Sequence, residues 1–342
     1  MTVNADLDDR LLRVIGDAAG LPGVAYARPP ESLTGGFWAE LLAFSLADPP
    51  PGWPRELVVR LMPDASVARK ETIVQAAVAA AGFPTPAVRA SGGPGCGLGR
   101  AFMVMDKAPG ARLLSDLGGA AAVIAIPRLA RQLPDALAST MAELHALDPG
   151  PVRDQLGQAG VAGVTIREML EILAEMAAGC QRGDLAAAAS WLINHPLPWS
   201  PEVICHGDLH PFNVLAAGRQ ITVLDWSTAV LAPRAYDVAF TSLMLSEPPL
   251  VASGPILHLA RLAGRQLARR FVRHYRVRAG VVVREADVSW HQALVCLRAL
   301  TEVAGWVRDG DLGDRAGHPW LVSGTALAVR LAAVTGVAVR PR

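Results

Sequence analysis

The 342-residue chain is poor in lysine, cysteine and net charge, and each shortage excludes something. Only Lys70 and Lys107 accompany 30 arginines, and neither lysine completes a G-x-x-x-x-G-K-[ST] phosphate loop. Cys96, Cys180, Cys205 and Cys296 stand far apart with no C-x-x-C or C-x-x-H spacing, so neither a zinc knuckle nor a disulfide scaffold is expected and a cytoplasmic protein is. A net charge of +1 provides no overall field for nucleic acid or an anionic membrane, and neither partner is expected. The apolar run 118–127 falls short of the ~20 residues a membrane span needs, and Arg330 interrupts the apolar C-terminal stretch. The acidic N-terminus lacks the basic region of a secretion signal. No repeat of fixed period is visible.

With 51% hydrophobic and 18% charged residues and a mean hydropathy of +0.30, the chain is globular and long enough for two domains. Its first hundred residues carry a helix near 5–19, β-compatible runs around Gly35-Gly36, a strand in ELVVRLM, a helix over 66–81, and two strands in AVRASG and RAFMVMD. Long alanine- and leucine-rich helical patterns follow Asp106, interrupted only between Glu202 and Trp226, where short apolar runs around Gly218-Arg219 predict a hairpin. The expected class is α+β. Residues 1–105 form a small β-rich N-lobe, 106–110 a hinge and 111–342 a larger, mostly helical C-lobe. The turn GGPGCGLG misses the G-x-G-x-x-G spacing at every register and reads as a flexible hairpin. Arg261, Arg265, Arg269 and Arg273 recur every four residues as a solvated helical stripe.

HGDLHPFNVL followed by VLDW carries the chemistry. Asp208, Asn213 and Asp225 provide an acid, an amide and a second acid at spacings of five and twelve. Phosphoryl transfer needs such a set: a carboxylate to deprotonate the attacking hydroxyl, here Asp208, and hard oxygen ligands for Mg2+, here Asn213 and Asp225. His206, Asp208 and His210 also spell H-x-D-x-H, which leaves a metal-dependent hydrolase as the rival enzyme class. An inactive nucleotide-binding regulator is a third possibility, against which the intact acid-amide-acid set argues.

The segment resembles the signature of the aminoglycoside phosphotransferase and choline kinase-like family, relatives of the protein kinases: His206, Gly207, Asp208, Asn213, Asp225 and Trp226 match in order. The resemblance implies a two-lobed protein kinase-like fold and transfer of the γ-phosphoryl group of ATP, with GTP not excluded, to a hydroxyl of a small molecule. It further implies that Gly35 and Gly36 cover the nucleotide, that Arg60 stands at the phosphate-pairing position usually held by Lys, and that Glu71 is its ion-pair partner. Asp106 and Ala108, in MDKAPG, line the adenine hinge. Asp237 begins a helix beneath the catalytic loop and braces it. Arg60, Phe212, where many relatives have Gly, and Ser227, where many have an acid, depart from the family pattern. Residues 238–342 hold 14 Arg against 7 acids, a local sum of +7, which points to a neutral or weakly cationic acceptor, with Asp309, Asp311 and Asp314 the one acidic cluster against that expectation.

Overall fold

The computed structural model describes residues 5–33, 39–112, 119–218, 220–248, 254–315 and 317–342. In chain order the elements begin with α1 (Ala5–Ala19), β1 (Tyr26–Ser32), β2 (Glu40–Leu46), β3 (Glu56–Met62), α2 (Ala65–Ala80), β4 (Val88–Gly92), β5 (Ala101–Asp106) and β6 (Ala111–Arg112). Next come α3 (Gly119–Leu144), α4 (Gly150–Gln158), α5 (Ile166–Gly179), α6 (Gly183–Asn194), β7 (Glu202–Cys205), β8 (Val214–Ala217) and β9 (Gln220–Val223). The chain closes with β10 (Val230–Pro233), α7 (Ala235–Ser246), α8 (Gly254–Ala279), α9 (Glu285–Asp309) and α10 (Pro319–Thr335). They group into two compact units. One comprises Met1–Leu113, Pro151–Val161 and Asn213–Thr228; the other comprises Leu114–Gly150, Ala162–Phe212 and Ala229–Arg342. No helix among the described residues is long and apolar enough to cross a membrane.

The first unit is built on an antiparallel sheet of order β1-β2-β3-β5-β4. Alternation along β3 sends Leu57, Val59 and Leu61 to one face, where they pack with Phe102, Val104 and the α1 residues Leu11 and Ile15. Each such burial is worth about 1.5–3 kcal/mol relative to exposure. The same alternation sends Arg60 and Met62 to the opposite face, beneath α2. Asp64 caps α2, its carboxylate accepting the N–H groups of Ser66 at 2.8 Å and Val67 at 3.1 Å. β1 holds Pro29 and Pro30 and accordingly occupies a sheet edge, where a missing N–H breaks no ladder. Of the strand signal read around Gly35-Gly36, Glu40–Leu46 forms β2, and residues 34–38 lie outside the described residues.

A second, three-stranded sheet of order β6-β8-β9 belongs to the same unit. Gly110, at φ 105, precedes β6, and a Cβ there would lie 2.5 Å from the Ala216 carbonyl oxygen, so this approach admits only glycine. The β8-β9 hairpin is pinned to residues 83–85. Val223 N–H donates to Pro84 O at 2.8 Å, the Thr85 hydroxyl donates to Val223 O at 2.8 Å, and Trp226 Nε1 donates to Thr85 Oγ1 at 2.9 Å. Trp226 is fully buried, edge-on to Phe83 at 5.7 Å.

The second unit packs around α9, which is buried on nearly every side from Trp290 to Gly305 and touches α5, α6, α7 and α10. Here the hairpin read around Gly218 between Glu202 and Trp226 is β8-β9, and β7 stands apart from it. β7 pairs with β10, not with its sequence neighbours, in the register Cys205↔Val230 to Glu202↔Pro233, and only β8-β9 is a hairpin. The reason is burial. Val203, Cys205, Val230 and Ala232 all join the helical core, so each strand satisfies its backbone against the other. α4 and α7 were not read from periodicity: α4 is short, and α7 is buried over almost its whole length and shows no polar stripe.

Replacing Trp226 with Ala leaves a cavity in place of the indole and removes its bond to Thr85, and should lower the unfolding free energy by about 3–5 kcal/mol in urea titrations. A loss below about 1 kcal/mol would show that the hairpin is held in place by other contacts.

Candidate active site

In the first unit, hairpin register closes the twelve-residue gap between two of the predicted site residues. Val214 pairs with Val223, and Leu224 N–H donates to the Asn213 carbonyl at 2.9 Å, so Asn213 and Asp225 flank the open end of one ladder. Asp225 lies in the left-handed region at φ 67, a conformation that costs a non-glycine residue about 1 kcal/mol or more. Its Oδ1 accepts the Ser227 hydroxyl at 2.6 Å and pairs with Arg60 Nη2 at 3.1 Å. Ser227, a departure from the family pattern, thus orients the neighbouring carboxylate. Asn213 and Asp225 are hard oxygen donors, partly exposed and set on one rigid element, a donor set that fits a hard divalent cation such as Mg2+.

Arg60 links three elements. Its Nε faces Glu71 Oε1 at 3.3 Å, and the two side chains are 9% and 1% exposed. Glu71 is pushed up from near 4.5 to about 7, because burial opposes its charge more strongly than Arg60 favours it and Asp225 adds to the rise. Asp106 spends both carboxylate oxygens on Arg89, at 2.6 and 2.7 Å. Lys107 N–H bonds Glu56 O at 3.1 Å, and Ala108 follows in the coil beyond β5. Gly35 and Gly36 lie outside the described residues.

In the second unit, Asp208 ends a loop fastened from beneath. Asp237, fully buried at the start of α7, accepts His206 N–H at 2.8 Å and Gly207 N–H at 2.7 Å. Burial alone would raise the Asp237 carboxyl. The hydrogen bond from His145, the electrostatic influence of the His145 and His206 imidazoles and the Gly207 amide bring it below its ordinary value instead. His145 Nε2 lies 3.1 Å from Asp237 Oδ2, and its Nδ1 lies 2.7 Å from the Tyr275 hydroxyl. Sequence reasoning assigned no role to His145 or to Tyr275. No local signal marks either, since 92 residues separate His145 from Asp237 and 130 separate it from Tyr275.

His206 Nδ1 accepts Asp208 N–H at 3.2 Å, and His210 Nδ1 accepts Phe212 N–H at 3.2 Å, leaving His210 Nε2 to face Asp208 Oδ2 at 3.5 Å. Both imidazoles are thereby committed to the loop. Among the described residues, the one group with metal-ligand spacing is His145, Cys205 and Asp237, not the H-x-D-x-H trio. Its imidazole and carboxylate already serve Tyr275 and the two loop amides, so this group is a hydrogen-bonded brace.

Set against known proteins, residues 45–281 match the model of the phosphotransferase enzyme family, well over half of the chain. The chain belongs to that family. Comparison with curated protein sequences returns no match. Among solved structures, the phosphotransferase resembles a thermostable mutant of the aminoglycoside phosphotransferase APH(4)-Ia, with a TM-score of 0.59, 19% identity and coverage of 96% of this chain and 98% of that one. A GDP and kanamycin complex of an aminoglycoside phosphotransferase of the APH(2") type gives 0.59 and 16%, covering 91% and 96%. The macrolide 2'-phosphotransferase of Brachybacterium faecium gives 0.53 and 17%, covering 96% and 98%. The fold is therefore the α+β, protein kinase-like fold that the motif implies.

Glu71 offers a test of the Arg60 cluster. Because its folded value of about 7 exceeds its unfolded value near 4.5, its contribution to stability is fully present below about pH 4.5 and is lost as pH rises towards 7. The melting temperature of the parent should therefore fall relative to that of Glu71→Gln across this window. A difference that grows in the parent's favour would show that the Arg60 charge outweighs burial.

Proposed function

We propose that this phosphotransferase is a cytoplasmic kinase that moves the γ-phosphoryl group of ATP to a hydroxyl of a small molecule. The observation that carries this reading is the Asp208 loop, whose backbone is fixed by the buried Asp237 while the Asp208 carboxylate remains partly exposed. Asp208 would take the proton as the acceptor oxygen bonds to the γ-phosphorus and the bond to the ADP oxygen breaks. Asn213 and Asp225 would hold Mg2+, whose charge, when bound, neutralises the phosphate oxygens. Arg60, steadied by Glu71, would pair with the nucleotide phosphates; its fork replaces the point charge of lysine. Residues 106–110 would form the hinge for the base, reached through backbone groups at Asp106 and Ala108 because the Asp106 carboxylate is spent on Arg89. Nucleotide use is supported by relatives crystallised with ADP, AMP-PNP or GDP.

The acceptor would be neutral or weakly cationic. Of the three acids that argue otherwise, Asp309 is paired with Arg308 at 2.7 Å, which cancels its charge locally. Hygromycin B, kanamycin and a macrolide, named by the structural relatives, define the panel to try, together with uncharged sugars.

With Mg2+ and ATP, phosphorylation across this panel should be fastest for the macrolide or an uncharged sugar, and Asp208→Asn should lower kcat by about 100-fold or more with ATP still bound. Near-parental turnover in Asp208→Asn would remove Asp208 from the role of base, and fastest transfer to kanamycin would overturn the expected acceptor charge.

A further inference from the structure

Arg298, on α9, is 7% exposed and carries its charge into the core of the second unit. Its Nη1 donates to the Tyr236 hydroxyl at 2.9 Å, its Nη2 donates to the Gly207 carbonyl at 3.1 Å, and its guanidinium lies 5.4 Å from the centre of the Phe240 ring. Its Nε is buried without a hydrogen bond, the nearest acid being Glu302 at 4.0 Å. A buried cation whose hydrogen bonds go only to a hydroxyl and a carbonyl is a poor stabilising device, because desolvation costs several kcal/mol and a well-packed apolar side chain often does better.

The carbonyl it holds is the notable feature. The peptide group joining Gly207 to Asp208 has two polar ends: its C=O accepts from Arg298 and its N–H donates to His206 Nδ1 at 3.2 Å. Gly207 itself sits at φ 76, where the backbone is unusually free to turn, and its own N–H is held by Asp237. Asp237 therefore fixes the peptide before Gly207, and Arg298, with His206, fixes the one after it. We infer that Arg298 is a positioning residue for Asp208: by holding the Gly207 carbonyl it sets the plane from which the Asp208 side chain departs. Tyr236 anchors the other arm of the fork, so the guanidinium cannot swing away. Charge supports the same placement. Burial would lower the Arg298 value, but Tyr236, Glu302, Asp208 and Asp237 more than offset it, and the group stays cationic beside the loop.

This inference rests on Asp208 being the base, and the test separates the two. Arg298→Met keeps the length and apolar packing of the stem; Arg298→Lys keeps the charge but not the fork. Parent, both variants and Asp208→Asn are compared for melting temperature, ATP affinity, and Mg-ATP turnover with hygromycin B, a macrolide and water as acceptors. Arg298→Met should melt within a few degrees of the parent and bind ATP within about twofold, yet lose about 100-fold in kcat, the scale on which a misplacement of about 1 Å acts. Arg298→Lys should recover part of that loss. Parental kcat in folded Arg298→Met overturns the inference, as does parental kcat in Arg298→Lys if the Met variant does not fold. A lower melting temperature with unchanged kcat per folded molecule assigns Arg298 to stability alone. Parental turnover in Asp208→Asn overturns the base assignment and this inference with it.

Discussion

A single carboxylate at zero exposure, Asp237, is the constraint on which the second unit depends. An ionised acid can be buried only where donors replace its lost water, and here the donors are His145 and the amides of His206 and Gly207. Satisfying Asp237 therefore means holding the loop that ends in Asp208. The brace continues outward through Tyr275, so α3, α7 and α8 all share in placing two peptide groups. Its members sit in a packed core, where there is little room for a partial arrangement.

The first unit solves a similar problem with the opposite sign. Arg60, itself almost fully buried, is shared by Glu71 on α2 and Asp225 beyond β9. Burial opposes the charge of Glu71 more strongly than Arg60 favours it, and Asp225 competes for the same cation, which is why Glu71 titrates high. The Ser227 hydroxyl gives Asp225 a further donor and so helps to keep that carboxylate in place despite its strained backbone. A polyphosphate entering such a cluster would add anionic oxygens to an arginine already held at one end by Glu71.

Much of this was legible in the sequence because the groups concerned are close along the chain or carry strong local patterns. The β3 strand shows in the alternation of ELVVRLM, the hairpin in its Gly218 turn, and the Asp208 loop in the order of its polar residues. The Arg60–Glu71 pair was implied by the family resemblance, and the two side chains meet at 3.3 Å. What could not be read depends on pairing at a distance or on complete burial. β7 reaches β10 across the whole segment that holds Asp208, Asn213 and Asp225; α7 has no polar face; and Arg298, His145 and Tyr275 look like ordinary polar residues of amphipathic helices until packing turns them inward. The prolines at 29 and 30 concealed β1, because only its edge position makes them tolerable.

The proposed function makes Asp225 a ligand of Mg2+ for a bound nucleotide. Calorimetry of ATP binding with and without Mg2+, on the parent and on Asp225→Ala, addresses it most directly. Mg2+ should tighten ATP binding to the parent by about tenfold or more and leave Asp225→Ala unaffected. Tightening of equal size in Asp225→Ala would contradict the account.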